Sequence, residues 1–257
     1  MWSGEWQVRR FGEIDSTNTY LHDEARRGAP EGTVAVADHQ TAGRGRLDRR
    51  WEAPAGSALL MSVLFRPDID PAELHLCTAA LALAAAEACR EVSGVWPVLK
   101  WPNDLLVGEA KLGGVLAESE FSGGAVSWVV IGIGINVAWP GPPLVGGTCL
   151  DDLAEGAPPV DKEILLRALL SELSPRRALL DSAEGRRALA DEQRRRCNTL
   201  GQQVRIELAT GAVFGLAIRI DDAGHLVVQT SAGSRTLTAG DAVHLRPSPE
   251  PGEGAGG

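Results

Sequence analysis

The sequence predicts an α+β fold, in which a mixed, largely antiparallel sheet with helices precedes a small antiparallel β-barrel. In the first 200 residues, short apolar runs joined by glycine turns alternate with long segments rich in alanine and leucine. Beyond Leu200 the chain has only short β-type runs, separated by turn sequences such as Asp222-Ala223-Gly224. The length of 257 residues suits one large and one small domain. We therefore predict domains at residues 1–198 and 199–247, and a disordered tail rich in proline and glycine at residues 248–257.

The first 65 residues are predicted to contain three strands and one capped helix. The sequence Asp15-Ser16-Thr17-Asn18 supplies N-cap side chains for a helix that carries Leu21. Residues 40–57 contain too many glycines and arginines for regular structure, so they are predicted to form a loop. The predicted strands are residues 8–11, 33–38 and 59–65.

The rest of the chain continues this alternation. A core-packed helix is predicted at residues 71–91, with Pro71 near its first turn. Hairpins are expected in the next segment because its short strands turn at Gly108. The stretch 138–160, dense in proline and glycine, is expected to wrap the surface. Further strands are predicted at residues 98–100, 104–107, 111–118 and 127–137, helices at 161–180 and 185–198, and barrel strands at 203–208, 212–220, 226–230, 235–238 and 242–245.

Composition narrows the classes of partner. A formal net charge of −9 argues against a general affinity for nucleic acid or anionic membranes, so the macromolecular partner is expected to be a protein. The apolar runs 81–86 and 128–135 are too short to cross a bilayer, and the N-terminus resembles no export signal. The four cysteines are widely spaced, which favours reduced thiols over a zinc site or disulfides. We expect a cytoplasmic protein.

The loop sequence from Gln40 to Trp51 is the first segment that indicates chemistry. Its glycines permit close approach of a ligand to the backbone, and Arg44 and Arg46 supply forked donors for phosphate or carboxylate. An arginine-rich surface loop or an RNA-binding segment would have the same composition. The loop lacks the Gly-Lys-Ser/Thr of a Walker motif and the spacing of a dinucleotide fingerprint.

A second segment places polar groups at the ends of apolar strands, as is typical of clefts. It comprises Lys100-Trp101-Pro102-Asn103-Asp104 and, a few residues later, Lys111-Leu112-Gly113-Gly114. Strand alternation predicts that Lys111 faces the same side as Gly113, so that a ligand could lie close to the ammonium. Taken alone, a lysine in such a position is more often a solvated lysine than a functional one.

The third segment, Gly132-Ile133-Gly134-Ile135-Asn136, is an apolar strand interrupted by glycines. A base or sugar could rest against its bare backbone. By itself the pattern is more typical of an ordinary packed strand.

Together and in this order, the three segments resemble the biotin protein ligases. That family carries Asp-Ser-Thr-Asn, Gly-Arg-Gly-Arg-x-Gly-Arg-x-Trp, Lys-Trp-Pro-Asn-Asp, Lys-x-Gly-Gly and Gly-x-Gly-x-Asn. The match spans about residues 13–137, and the terminal strands resemble the family's small C-terminal domain. The resemblance implies a class II synthetase-like catalytic domain followed by a barrel similar to Src-homology-3 domains.

The resemblance also implies an activity. Biotin would react with Mg-ATP to give biotinoyl-5′-AMP, which a lysine of a biotin carboxyl carrier domain would open. Catalysis would rest on Lys111, Arg44 and Arg46, with Asp104 as a candidate magnesium ligand. The implied biotin-binding residues are Ser16, Thr17, Asn18, Gln40, Gly43, Arg44, Gly45, Arg46, Lys111, Gly113 and Gly114. The implied nucleotide-binding residues are Arg46, Trp51, Asn103, Asp104, Lys111, Gly134 and Asn136.

The sequence departs from the family pattern at two places, and these departures qualify the resemblance. Asp48 stands where the family's loop has glycine, which adds negative charge beside the expected nucleotide. The region before Glu5 is too short for the family's DNA-binding domain, so we expect no specific DNA binding. We also expect a monomer or weak homodimer. The alternatives are a lipoate ligase or octanoyltransferase, and a nucleic-acid-binding module that uses the loop arginines.

Overall fold

A computed structural model of the chain describes residues 5–47, 49–143, 146–154, 158–208 and 211–245. The predicted tail and the departure at Asp48 lie outside these residues. Strands and helices follow the predicted order, with boundaries that differ by a few residues. The strands are β1 (Gln7–Ile14), β2 (Thr33–Gln40), β3 (Ala58–Phe65), β4 (Val98–Lys100), β5 (Asp104–Val107), β6 (Ala110–Ser122), β7 (Ala125–Asn136), β8 (Gln203–Leu208), β9 (Gly211–Ile220), β10 (Leu226–Thr230), β11 (Gly233–Leu237) and β12 (Asp241–His244). The helices are α1 (Thr17–Arg26), α2 (His75–Ser93), α3 (Leu150–Leu153), α4 (Lys162–Leu179) and α5 (Ala183–Arg196).

The large sheet has seven strands in the order β1-β2-β3-β7-β6-β5-β4. Strands β1 and β2 are parallel, because helix α1 provides the crossover between them, and every other neighbouring pair is antiparallel. The predicted mixed, largely antiparallel sheet is therefore confirmed.

The two faces of this sheet pack against different helices. In β7, Val129, Ile131 and Ile133 belong to the main core with α2 and α4, whereas Trp128 and Val130 pack on the opposite face with residues of α1. Strand β3 divides its side chains in the same way. Because successive residues of a strand point to opposite faces, even-numbered positions of β3 and β7 share the side on which α1 lies. Helix α1 covers only part of that side.

Helix α2 and the turn before it correct the expectation that no apolar segment of the chain is long enough to cross a bilayer. The segment Pro71–Ser93 has the length and composition of a membrane span, which the shorter runs considered above do not. Two thirds of its most apolar stretch, 67%, is buried inside the fold. Its apolarity thus suits a core helix packed between the sheet and α4.

The small C-terminal sheet has five antiparallel strands in the order β11-β10-β9-β8-β12. The five predicted β runs correspond to these strands. Closure into a barrel similar to Src-homology-3 domains stays a prediction, as does the exact domain division.

A tryptophan from the large domain lies in the core of the small one. Trp101 is 4% exposed and packs with Cys197, Val204 and Leu226. Its backbone N–H donates to Thr199 Oγ1 (3.0 Å) and its indole Nε1 donates to the carbonyl of Gly224 (3.0 Å). The motif Lys100–Asp104 is therefore anchored in both domains.

Candidate active site

Two adjoining cavities lie on the face of the large sheet that α1 shares. The smaller, of about 30 Å³, is enclosed by the start of α1, the loop and the glycines of β6 and β7. The larger, of about 470 Å³, lies between the loop, β5, β6 and the C-terminal sheet. Trp51, Arg44 and Gly114 line both, so these residues mark the junction.

Most sequence-predicted site residues meet at these cavities. The smaller is lined by Ser16, Thr17, Asn18, Gln40, Arg44, Trp51, Gly114 and Gly134. The larger is lined by Arg44, Gly45, Arg46, Trp51, Asn103, Asp104, Lys111, Gly114 and Asn136. Gly43 instead borders a neighbouring cavity on the other side of Trp51. Gly113 lines neither cavity and faces Leu105.

The polar side chains of the smaller cavity come from the N-terminus of α1. Ser16 is the N-cap residue and accepts from the Thr19 N–H, as the capping sequence predicts. Thr17 and Asn18 follow in the first turn and are 3% and 4% exposed. The backbone N–H of Thr17 donates to Gln40 Oε1 at 2.8 Å, which joins the helix start to the end of β2.

The glycines of β7 make room for protein side chains. A Cβ atom on Gly132 would overlap the Asn18 amide, and one on Gly134 would overlap the Trp51 indole. In the structure Asn18 and Trp51 occupy those places, and the expectation that a ligand rests on this backbone stays a prediction. The indole Nε1 of Trp51 is buried without a hydrogen-bond partner among the described residues.

Lys111 lies at the junction of the cavities. Its Nζ is 2.6 Å from Asp104 Oδ1 and 5.8 Å from the centroid of the Trp51 ring. A Cβ atom on Gly114 would lie 3.4 Å from Lys111 Cε and Nζ, so a residue without a side chain lets the lysine cross β6. The ammonium and the carboxylate thus form one fixed pair.

The predicted orientation of Lys111 relative to Gly113 is wrong. The pairing of β5 with β6 shifts register between Leu105 and Leu106, so a β-bulge interrupts the alternation at Leu112. Leu112 and Gly113 both turn toward the helix-covered core, where Gly113 faces Leu105. Lys111 shares its face with Gly114 instead.

The segment 146–148 holds the backbone of Lys111. The N–H of Lys111 donates to Gly146 O (3.2 Å), and the Lys111 carbonyl accepts from Thr148 N (2.9 Å). Asn136 Nδ2 donates to the carbonyls of Thr148 (3.0 Å) and Lys111 (3.4 Å). The prediction that residues 138–160 only wrap the surface is incomplete, since part of this segment braces the site and Leu150 is fully buried.

The two loop arginines point to different partners. Arg44 binds Glu118 with both nitrogens, at 2.8 and 2.6 Å. Arg46 Nη1 donates to Asn103 Oδ1 (3.2 Å) and to the carbonyl of Gly240 (3.3 Å). Burial lowers the pKa of Arg46, and the charges of Asp241 and Asp104 act in the opposite direction.

The loop itself folds as a short hairpin. Gly45 N–H donates to the carbonyl of Arg49 (2.7 Å), and Trp51 N–H donates to the carbonyl of Gly43 (3.1 Å). A Cβ atom on Gly43 would overlap the Trp51 carbonyl, so this glycine is needed by the hairpin. Its predicted role beside the ligand is thus secondary to a backbone requirement.

The C-terminal sheet contributes to the larger cavity, which sequence reasoning missed. Asp241, Ala242 and Val243 line it, and Asp241 forms an ion pair with Arg49 of the loop. Glu118 and Ser62 received no role either: Glu118 ends the predicted strand that begins with the motif Lys111–Gly114, and Ser62 stands in an apolar strand with no motif around it. The one available signal was a charged or polar residue within an otherwise apolar run.

The electrostatics of the larger cavity favour an anionic ligand. Six cationic side chains line it against four carboxylates, in a chain whose net charge is −9. A positive cleft in a negative protein concentrates anions at that place. Among the described residues, no group of three or more His, Cys, Asp or Glu could hold a metal ion.

Glu118 is ionised throughout the neutral range. Burial by itself would raise the pKa of Glu118, but the neighbouring His22, the hydrogen bond from Asn18 and the charge of Arg44 lower it to about 2. A carboxylate with a lowered folded-state pKa stabilises the fold above its unfolded pKa, and this contribution is lost as the pH falls toward the folded value.

Glu118→Gln should therefore destabilise the protein by roughly 3 kcal/mol at pH 7, and by much less at pH 3. Urea unfolding of both proteins across this pH range measures the difference. The same substitution at Glu120, an exposed residue of the same strand, serves as the control. A deficit of Glu118→Gln that stays constant with pH would contradict the assignment.

Comparisons with known proteins agree with this geometry. Residues 11–136 match the biotin/lipoate A/B protein ligase family, and residues 199–245 match the biotin protein ligase C-terminal domain. A biotin–[acetyl-CoA-carboxylase] ligase of Mycobacterium tuberculosis is 37% identical over 95% of this chain and 91% of its own length. Another from Paracoccus denitrificans is 33% identical over 90% of this chain and 98% of its own. The structure of an Aquifex aeolicus biotin protein ligase in complex with biotin and ATP superposes with a TM-score of 0.76 at 27% identity, covering 94% of this chain and 99% of that one.

Proposed function

The chain belongs to the biotin protein ligase family and is an enzyme of that class, and we propose that its cleft forms biotinoyl-5′-AMP and transfers biotin to a carrier lysine. One observation carries the proposal. The Lys111–Asp104 pair lies over bare Gly114 where a small polar cavity opens into a large cationic one. Two substrates bound in the two cavities would meet at that ammonium.

The smaller cavity would hold the fused rings of biotin. The ureido group needs both donors and acceptors, and Ser16, Thr17, Asn18 and Gln40 carry them. At about 30 Å³ the cavity is narrow for a bicyclic ring, so the Trp51 ring would have to move as biotin enters. The loop backbone around Gly45 would then lie along the biotin tail.

The larger cavity would hold the nucleotide. Trp51, whose indole lies over Gly134, would border the base, while Asn103 and Arg46 lie toward the phosphates. Asn136 would act mainly through the backbone of Lys111, since its amide nitrogen is bonded to two carbonyls.

In the first step, an oxygen of the biotin carboxylate would attack the α-phosphorus of ATP, and pyrophosphate would leave. Lys111 would lie between the two anions, reducing their repulsion and stabilising the charge that builds up on the phosphorus oxygens. Asp104 would hold the ammonium in place through the 2.6 Å contact. In the second step, the carrier amine would attack the carbonyl of the mixed anhydride, and AMP would leave.

Magnesium would fit this site mainly through phosphate oxygens. Asp104 is the carboxylate paired with Lys111, and Asp241 is engaged with Arg49. One protein carboxylate with phosphate oxygens is a common way to hold this ion. The ion would neutralise phosphate charge.

The acceptor would be the biotin carboxyl carrier domain of a biotin-dependent carboxylase. We propose that the enzyme acts in the cytoplasm as a monomer or weak homodimer, without specific binding of DNA. Its net charge of −9 supports a protein partner over a nucleic acid.

The direct test is incubation with labelled biotin, Mg-ATP and a carrier domain. Label on the carrier lysine, together with biotin-dependent release of pyrophosphate, is the expected result. Lipoate and an octanoyl donor in place of biotin form the comparison, since the matching family includes lipoate ligases. Preferential transfer of either would overturn the proposal.

Arg46→Gly should release the adenylate early. The variant loses the bonds to Asn103 and Gly240 and one cation near the phosphates, but it retains Lys111. Loss of one charge-assisted hydrogen bond, about 1.5–3 kcal/mol, would speed dissociation roughly ten- to a hundredfold. Biotin incorporation into a bystander protein, at matched rates of adenylate synthesis, is the measurement. Labelling no greater than that of the parent enzyme would contradict it.

A further inference from the structure

The carboxylate of Glu118 joins two parts of the smaller cavity. It accepts two hydrogen bonds from Arg44 of the loop and one from Asn18 Nδ2 at 2.8 Å. His22 Nε2 lies 3.4 Å from the same carboxylate. Because an ionised carboxylate can only accept, it determines which end of the Asn18 amide faces it.

The orientation of the Asn18 amide determines in which direction two neighbouring hydroxyl groups donate. With its nitrogen on Glu118, the Asn18 oxygen faces Ser62 and accepts from Ser62 Oγ at 2.6 Å. Ser62 Oγ is also 2.6 Å from Thr17 Oγ1. Each hydroxyl has one hydrogen, and that of Ser62 is used on Asn18, so the 2.6 Å contact requires Thr17 to donate to Ser62. The same Thr17 hydroxyl lies 3.1 Å from Gln40 Oε1, which also accepts from it, so its hydrogen is shared between Ser62 and Gln40.

The four residues form a chain of hydrogen bonds in which each residue donates to the next, from Thr17 through Ser62 and Asn18 to Glu118. Ser62 is fully buried, and Thr17 and Asn18 are nearly so. In such surroundings each hydrogen bond polarises the next and is poorly screened by water. The charge of Glu118 therefore polarises the Thr17 hydroxyl through three successive hydrogen bonds.

At the cavity, this direction leaves Thr17 Oγ1 as an acceptor, since its hydrogen is already donated. Gln40 Oε1 accepts from the Thr17 N–H, which makes the Gln40 amide nitrogen the donor end. An acceptor beside a donor complements a ring that presents N–H next to C=O, as a cyclic urea does. A dithiolane or an alkyl chain presents neither group.

We propose that Glu118 and Ser62 are positioning residues that set the direction of this hydrogen-bonded chain and thereby select a cyclic-urea head group. The inference rests on the biotin-binding role proposed above for the smaller cavity. Since the same carboxylate holds Arg44, recognition of the ring is also coupled to the position of the loop.

The test uses the full chain, three single variants and the double variant Glu118→Gln/Ser62→Ala. Glu118→Gln removes the charge that directs the chain, Ser62→Ala removes its middle link, and Glu120→Gln changes the same charge at an exposed position of β6. Titration calorimetry without ATP measures the Kd for biotin and for desthiobiotin, which keeps the ureido group and lacks the sulfur ring. Steady-state kinetics give KM for biotin and for ATP separately.

We expect Glu118→Gln and Ser62→Ala each to weaken biotin about tenfold or more, with Glu120→Gln within about twofold of the parent. Both should raise KM for biotin and leave KM for ATP within about twofold. Desthiobiotin should lose the same factor as biotin, because the chain acts on the ureido group. The double variant should lose less than the product of the two single losses, since both break one chain.

The overturning results are specific. Biotin affinities of both variants equal to that of Glu120→Gln would show that the chain selects nothing. Equal increases in the KM values for biotin and ATP would reduce Glu118 and Ser62 to structural residues, whereas a lower Tm of Glu118→Gln is expected in either case. If the parent enzyme itself fails to bind biotin, the proposed function is wrong, which these comparisons among variants distinguish from failure of the inference.

Discussion

Lys111→Ala should slow formation of the adenylate about a thousandfold, or ~4 kcal/mol, with the fold retained. The side chain supplies the cation at the junction of the two cavities, and its aliphatic part crosses Gly114 without filling a core. Removing it leaves the biotin carboxylate and the α-phosphate to repel one another. Biotin-dependent pyrophosphate release measures the rate, and circular dichroism checks the fold.

Lys162→Ala provides a matched control for this experiment. Lys162 and Lys111 are equally exposed, 27% by side chain, and each is paired with an aspartate, Lys162 with Asp38 at 3.0 Å. The control variant should keep its rate within about twofold, because exposed ion pairs contribute little and this one is remote from the reacting atoms. Pyrophosphate release by Lys111→Ala as fast as by Lys162→Ala would remove Lys111 from catalysis.

Trp101→Ala should lower the free energy of unfolding by about 3–5 kcal/mol. The substitution opens a cavity in the core of the C-terminal sheet and leaves the carbonyl of Gly224 without its indole donor. It should also lower the rate of adenylate formation, because Asn103 and Asp104 follow directly in the chain. Urea unfolding followed by circular dichroism, with pyrophosphate release on the folded protein, measures both effects.

Trp96→Ala is the control, since this tryptophan is 63% exposed. The substitution removes the contacts of this ring with the guanidinium groups of Arg90 and Arg196, and should cost about 1 kcal/mol or less. Trp101→Phe keeps most of the packing and should fall between the two alanine variants. Equal unfolding free energies for Trp96→Ala and Trp101→Ala would show that Trp101 does not join the domains.

Much of the fold follows from local patterns. Helix α1 begins where Ser16 caps it, and β3 and β7 lie where apolar residues fill both faces of a buried strand. The parallel pairing of β1 with β2 and the order of the seven strands do not follow from local patterns. They depend on which strands meet across long stretches of chain, and periodicity carries no information about that.

The motifs in the sequence determined by themselves which residues gather at the site, since all but Gly43 and Gly113 of the predicted residues line the two cavities. Tertiary structure alone decided how these side chains are oriented and which partners they contact. A bulge at Leu112 moved Lys111 from the side of Gly113 to that of Gly114, because alternation holds only within an unbroken ladder. Glu118 meets Arg44, and Asp241 meets Arg49, across separations of 74 and 192 residues. Such contacts depend on how sheets and loops pack, which local residue preferences do not specify.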